Sequence, residues 1–550
     1  HSIRRRQRQM CIRDSYLYEP YFHIMNEANH FFAKSDGGYV WLNLFKYLIS
    51  MMWMVPTSIF AGMTLPTLTY VVLHWSKQEN ATGKVYGWNT IGAITGAFAA
   101  GIILLPMLHL KWMLGLAAAF DMATGLFLLW LYKYKEGRKI WLALAWVLLL
   151  LPLFIIKFDG DTLTAGVFRG YKSFSQKELK EVAHGRTATI SFHESPVHYY
   201  IKTNGKPDAS LSKDRNVPLG SDELTQAATA FIPMATLNKP YDAAMVGFGS
   251  GMSAYYLLSD PLLKSLDVIE IEKEMVRLAK GFYPHNDWAF DDPRINIHYD
   301  DARTWFHTNQ KEYDVLVSVP SNPWVSGVSS LFSHEFYTHI QRYLSQQGML
   351  VQWLQLYEFD ARLLMQILSA LHQAFPHVNV YRIPNEPDIV LLASREPIQQ
   401  NHLKRFYSAD RINKTFKKIQ HSHDFFGEHN FVFNTKQIDT YLKTIAPNSD
   451  FYPLVDAHAE RARFKGGDVK ILDAFGYQDV NYLQYLDSSS YVIHQDLAWA
   501  HWERDSHKGP EYHSLTAWLK CDSTPCNSDD LPKKFCLLYT SPSPRDSDSS

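Results

Sequence analysis

Three short motifs in the middle of the chain carry residue types that suit a nucleoside ligand. In "VGFGSG", Gly247, Gly249 and Gly251 follow an apolar run and lead into a helical pattern. Glycines at such a place let backbone amides approach a ligand closely, at the positive end of a helix. The next apolar run ends in "VIEIE", about twenty residues on, where an acid can accept both hydroxyls of a ribose. Glu270 is the first choice there and Glu272 the reserve. A third run ends in "YDDAR", which places Asp301 within reach of an adenine amino group. A G-x-G-x-G turn alone is common. Three such ends in order make a nucleoside site the expectation, while spacing alone leaves a phosphate-bearing dinucleotide open.

The fourth run, "YDVLVSVPSNPW", ends differently. Its lip carries Val319, a hydrocarbon where proton transfer would want an acid or base, followed by Ser321 and Asn322. The elements that must position these ends are legible as alternating strands and helices. Strand patterns occur at "AAMVG", "LDVIEI", "INIHY", "YDVLVSV", "GMLVQW", "VNVYRI" and "IVLLAS", separated in several places by helical stretches near 273–282, 332–346 and 360–374. Such alternation predicts a mostly parallel sheet covered by helices on both faces. Upstream, "TATISF" and "HYYIKTNG" alternate with period two and end at the turn signal Asn204-Gly205, which predicts a small β-hairpin entry unit.

Together "VGFGSG", "DVIEIE", "DDAR", "SNPWVSGVSSLFSHEFY" and "QWLQLY" resemble the spermidine synthase (polyamine aminopropyltransferase) family. The likeness is strongest to its bacterial membrane-fused branch, whose membrane portion "LPTLTY" and "YGWNTIGAITGAFAAGIILLP" resemble, with "NGKPDAS" and "DELTQ" similar to the entry hairpin and the helix after it. The resemblance covers roughly residues 45–470. It implies a class I methyltransferase-like, Rossmann-like seven-stranded sheet that binds S-adenosylmethionine or its decarboxylated form, with Gly247, Gly249, Ser250, Gly251, Glu270, Asp301 and Ala302 at the nucleoside. It further implies aminopropyl transfer to the amine of a polyamine, with Asp208, Gln226 and Tyr357 as candidates for holding the acceptor. A carboxylate at the fourth strand end normally takes or orients the amine's proton, a role that contributes about 10²–10⁴-fold in rate. The soluble enzymes read Asp-Ser-(Ser/Thr)-Asp-Pro there and the fused branch Glu-Pro-Ser-Asn-Pro. This chain reads Val319-Pro320-Ser321-Asn322-Pro323, and Ser250 stands where the polyamine synthases have an aspartate.

Valine neither accepts a proton nor pairs with an ammonium, and a diamine short of countercharge meets a costly desolvation. Asp208, Asp222 and Glu358 are the candidate substitute carboxylates. Three readings follow: a membrane-anchored aminopropyltransferase, a methyltransferase acting on a small acceptor, and a non-catalytic membrane protein that binds the nucleoside. None calls for a metal. His421, His423 and His429 lack a ligand frame, and Cys521 and Cys526 in "CDSTPC" have no zinc spacing.

The 550 residues suggest about three or four domains. With Lys+Arg 54 against Asp+Glu 55 there is no basic footprint for nucleic acid. Residues 40–156 are almost continuously apolar and predict about four membrane helices, near 45–73, 87–108, 112–132 and 140–156. Pro56 and Pro66 predict a kinked span or a re-entrant pair; Gly92, Gly96, Ala97 and Gly101 a packing stripe; Asp121 an intramembrane carboxylate. The entry unit is expected over 160–230, the catalytic domain over 231–400 and a helical extension over 401–535. Residues 1–15 and 536–550 read as foreign sequence, so further membrane helices upstream are expected. The expected setting is the inner membrane, in contact with lipid, with a homodimer as the expected assembly. The implied cosubstrate places the soluble domain in the cytoplasm, whereas Lys77, Lys84, Lys133, Lys135, Arg138 and Lys139 favour the opposite side.

Overall fold

The computed structural model describes residues 21–76, 80–104, scattered positions within 107–124, residues 160 and 164–166, then 178–398 without 326, 384 and 385, and finally 412–413, 431–467 and 469. Its centre is an eight-stranded sheet in the order β12-β10-β11-β9-β8-β5-β6-β7. The strands are β5 (Tyr241–Val246), β6 (Leu263–Ile269), β7 (Ile295–His298), β8 (Tyr313–Ser318), β9 (Leu344–Gln355), β10 (His377–Arg382), β11 (Asp388–Ser394) and β12 (Phe431–Asn434). All pairs from β7 across to β9 are parallel, whereas β11, β10 and β12 continue the sheet antiparallel. The chain reverses at β5, with β6 on one side and β8 on the other. That switch point opens a crevice outside the carboxyl ends of the strands.

Alternate residues of each strand feed two cores, which is the period-two rule of a sheet covered on both faces. Ala243, Met245, Val315 and Val317 join the first core. Ala244, Val246 and Leu316 join the second. The first core is closed by α3 (Ser221–Met234), α4 (Met252–Leu258) and α5 (Lys273–Ala279). The second is closed by α6 (Ala302–Thr308), α7 (His334–Ile340), α8 (Ala361–Ala374) and α9 (Leu454–Lys465). Side chains start several of these helices: Asp360 accepts the Leu363 amide at 2.9 Å and Ser333 that of Phe336 at 3.2 Å. An oxygen at this position satisfies an otherwise orphaned amide.

Three expectations are corrected. The sheet has eight strands, because Phe431–Asn434 adds β12 to the edge of β10. This short strand falls in the stretch read as a helical extension, and α9 with Val432 and Phe433 packs into the second core, so the domain does not stop at 400. The entry unit is a four-stranded antiparallel sheet, β1 (Leu179–His184), β2 (Thr189–Glu194), β3 (His198–Thr203) and β4 (Lys206–Ser212). The flanking strands escape notice because "LKEVAH" and "KPDASLS" have little apolar alternation of their own.

Two helices among the described residues are long and apolar enough to cross a membrane. They are α1 (Asp36–Ser76) and α2 (Ala81–Phe98, with a π-helical turn to Leu104). Pro56 and Pro66 lie inside one continuous α1. Its 41 residues reach about 61 Å, twice a hydrocarbon core of about 30 Å. The first turns are bound to α9: Lys46 Nζ meets Glu460 Oε1 at 2.6 Å, and Asp36 meets Arg461 at 2.8 Å and Lys465 at 3.1 Å. A side chain added at Gly92, Gly96 or Gly101 would meet nothing within 4 Å, so among the described residues nothing packs closely on that stripe. The expected spans at 112–132 and 140–156, apart from isolated positions up to 124, lie outside the described residues. So do Asp121, the three histidines, the two cysteines and 470–535.

Candidate active site

At the end of β5 the chain enters Gly247 at φ +91°, a conformation that favours glycine. A Cβ there would sit 2.7 Å from the Val319 carbonyl oxygen, so the close approach of two strand ends requires a bare Cα. Gly249, at φ +56°, faces open space. Glu270 lies behind this loop and organises it. Its Oε2 accepts the Phe248 amide at 2.8 Å and its Oε1 the Glu272 amide at 2.9 Å. Burial pushes the Glu270 carboxyl up to about 7; the two amides pull it down, and the charges of Asp208 and Glu272 push it further up. Glu272 is spent on architecture: it accepts the Thr187 amide and hydroxyl, both at 2.8 Å, and the Glu274 amide at 3.2 Å. This fastens the β1–β2 turn to the start of α5. Asp301 caps α6 by accepting the Thr304 amide at 3.0 Å, with Ala302 buried directly after it.

Across the crevice, Val319 continues the strand by donating its amide to the Val246 carbonyl at 2.9 Å, and its side chain packs against the first core. Ser321 joins a pair brought from β4. Lys206 Nζ donates to Asp208 Oδ1 at 2.6 Å and to Ser321 Oγ at 2.9 Å, while Ser321 Oγ donates to Asp208 at 3.0 Å. Lys206 is only 4% exposed and lies 5.9 Å from the Trp324 ring centre. Asn322 is fully buried, and among the described residues neither of its amide atoms has a hydrogen-bond partner. On α3, Gln226 accepts the Ser250 hydroxyl, which joins the glycine loop to that helix. Asp222 accepts Ser210 Oγ at 2.5 Å. Tyr357 and Glu358 form the half-buried turn after β9, with Glu358 at φ +53°. Asp456 accepts Ser329 Oγ at 3.3 Å, below the loop that follows the fourth strand. Among the described residues no three His, Cys, Asp or Glu side chains are grouped as metal ligands.

The sequence does not announce Lys206, because a lysine after a turn reads as solvated. Nor does it announce Asp388, which opens a strand that is apolar from Ile389 to Ala393. Asp388 is buried, and its Oδ2 accepts Thr225 Oγ1 at 2.7 Å. Among the described residues its Oδ1 makes no hydrogen bond of ordinary geometry. Burial pushes this carboxyl up to about 7; Thr225 and the Trp353 indole oppose the rise, and Asp222 and Glu386 add to it. Directly opposite in the ladder stands Gln355, fully buried, with neither amide atom partnered among the described residues.

With this geometry in place, residues 224–390 match the spermine/spermidine synthase domain. Over these residues the chain is similar to the spermine/spermidine synthase family. A polyamine aminopropyltransferase of Alkaliphilus metalliredigens is 31% identical over 160 residues, covering 28% of this chain and 56% of the relative. Polyamine aminopropyltransferase 1 of Streptomyces coelicolor is 22% identical over 322 residues, or 57% and 59% of the two chains. The crystal structure of spermidine synthase from Thermotoga maritima aligns with a TM-score of 0.34 at 16% identity, covering 51% of this chain and 88% of that one. The chain thus spans a little over half the length of the curated relatives it matches. The matched stretch contains β5–β10, most of α3, and the first three residues of β11.

Proposed function

We propose that this protein is a membrane-anchored transferase that moves an aminopropyl group from decarboxylated S-adenosylmethionine to the amine of a polyamine. The observation that carries this reading is the loop at Gly247–Gly251, held at the Phe248 amide by one oxygen of Glu270, whose other oxygen accepts the Glu272 amide, and faced by the acceptor loop at Val319–Trp324. The residues fit such a cosubstrate. Gly249 leaves room for close approach, and Glu270 has lone pairs beyond those used on backbone amides, available to ribose hydroxyls. In this reading Asp301 and the Ala302 amide, at the start of α6, take the adenine edge. When bound, the sulfonium supplies a carbon activated for displacement, and a neutral thioether leaves with the bonding pair.

The chain's own contribution is orientation more than proton transfer. The attacking amine must be neutral, and the Val319 side chain cannot receive its proton, so it arrives deprotonated and the product proton passes to water. Asn322 and Ser321 can hold the nitrogen by hydrogen bonds. The α1 and α2 helices support membrane anchoring, with the N-terminal turns of α1 docked on α9 outside the bilayer.

The test uses the full chain in detergent. Calorimetry is expected to show binding of decarboxylated S-adenosylmethionine, and incubation with putrescine to yield the aminopropylated amine plus methylthioadenosine. Methylated product from S-adenosylmethionine would replace this reading with methyl transfer. Binding of neither sulfonium compound would overturn both.

A further inference from the structure

We infer that Asp388, oriented by Thr225 and paired across the ladder with Gln355, is the site that holds the distal ammonium of a diamine acceptor, in place of the carboxylates missing at the fourth strand end. This rests on the aminopropyl-transfer reading and specifies its acceptor.

Topology places the three residues at the mouth of the crevice. Gln355 ends β9, which runs parallel to β8, and Asp388 begins the antiparallel β11, so both lie at the end where Val319 lies. Both belong to the face covered by α3, since Thr225 of that helix reaches Asp388. Thr225 satisfies one carboxylate oxygen; Oδ1 is buried beside the Trp353 indole without a hydrogen bond of ordinary geometry, and among the described residues both Gln355 amide atoms are buried and unpartnered. Such groups are expensive unless something meets them. A carboxylate oxygen beside an amide oxygen is a set of acceptors suited to an ammonium, which has only donors to offer. Asp222 and Glu386 lie close enough to add negative potential.

The division of labour follows from the chemistry of a diamine. Its reacting nitrogen must be neutral and can sit against Val319 and Asn322. Its other nitrogen stays charged and needs an anion. In the ladder, Asp388 lies two strands across and two residues beyond the level of Val319. That separates their backbones by about 12 Å at ordinary strand spacing and rise. An extended four-carbon diamine has about 6 Å between nitrogens by standard bond lengths. With a hydrogen bond at one end and van der Waals contact at the other, it spans the gap.

The decisive measurement is putrescine binding by calorimetry to the full-length protein saturated with methylthioadenosine, which needs no turnover. Asp388→Asn is expected to weaken putrescine about 10- to 100-fold, the effect of turning a charge-assisted hydrogen bond into a neutral one. Methylthioadenosine affinity should stay within twofold, and Asp388→Glu should recover part of the loss. Thr225→Val, nearly isosteric, should weaken putrescine several-fold and serves if Asp388→Asn does not fold. In turnover, Asp388→Asn should raise KM for putrescine far more than it lowers kcat. Equal putrescine affinity in wild type and Asp388→Asn, or no putrescine binding by a wild type that binds methylthioadenosine, overturns the inference. Asp388-dependent binding without any aminopropylated product would retain the ammonium site and overturn the transfer reading instead.

Discussion

The guanidinium of Arg463 lies 5.2 Å from the ring centre of Trp324, which fixes the last turns of α9 against the loop that carries Ser321 and Asn322. The same helix holds Lys46 of α1 through Glu460. One helix therefore touches both α1 and the loop that follows β8. Arg463→Ala is expected to raise KM for the acceptor several-fold and leave nucleoside affinity unchanged, as steady-state kinetics and calorimetry would read. Lys46→Ala, at a half-exposed ion pair, should cost no more than about 1 kcal/mol in thermal unfolding.

Glu270 sets a pH dependence whose sign is defined. Its folded value of about 7 lies above the ordinary 4.5, so the folded state binds the proton more tightly. The associated stability is fully present below about 4.5 and is lost as pH rises to about 7, a loss of roughly 3 kcal/mol. Asp388 works in the same direction. Nucleoside affinity should run the other way and increase through pH 7, because the ionised carboxylate is the better acceptor of hydroxyls. Glu270→Gln should flatten its share of both profiles. An affinity that falls as pH rises would contradict the assignment.

The glycine loop separates packing from ligand contact. Gly247→Ala brings a Cβ within 2.7 Å of backbone and should lower stability by at least about 1–3 kcal/mol. Gly249→Ala meets open space and should cost only about 1–2 kcal/mol for its left-handed conformation. It should nevertheless lose most nucleoside binding. Retained binding in Gly249→Ala would move the ligand away from this loop.

Val319→Glu restores a base at the lip. Wild-type kcat/KM should climb into the alkaline range as more acceptor becomes neutral. The variant should shift that rise to lower pH and raise kcat about tenfold or more at neutral pH. An unchanged pH profile would mean that the attacking amine lies elsewhere.

Lys206 and Asp208 form a buried pair, and breaking one partner strands the other's charge. Lys206→Met should destabilise by about 3 kcal/mol, with much of the loss recovered in Lys206→Met with Asp208→Asn. Denaturant melts of the four proteins would read the coupling.

The sequence alone determined the seven strand patterns from 243 to 394, because each is a local apolar run whose burial needs no knowledge of its neighbours. It also placed Gly247, Glu270 and Asp301 each at the close of such a run, and they follow β5, β6 and β7 in the fold. Tertiary structure decided what lies between distant segments. β12 joins the sheet only because β10 offers a free edge, and four residues hold too little pattern to announce it. Lys206 reaches Ser321 across 115 positions, and Thr225 reaches Asp388 across 163. A charge at a turn or at a strand's first residue reads as solvated until the fold buries it. For that reason the loss at Val319 was visible in one dimension, and the buried carboxylate at Asp388 only in three.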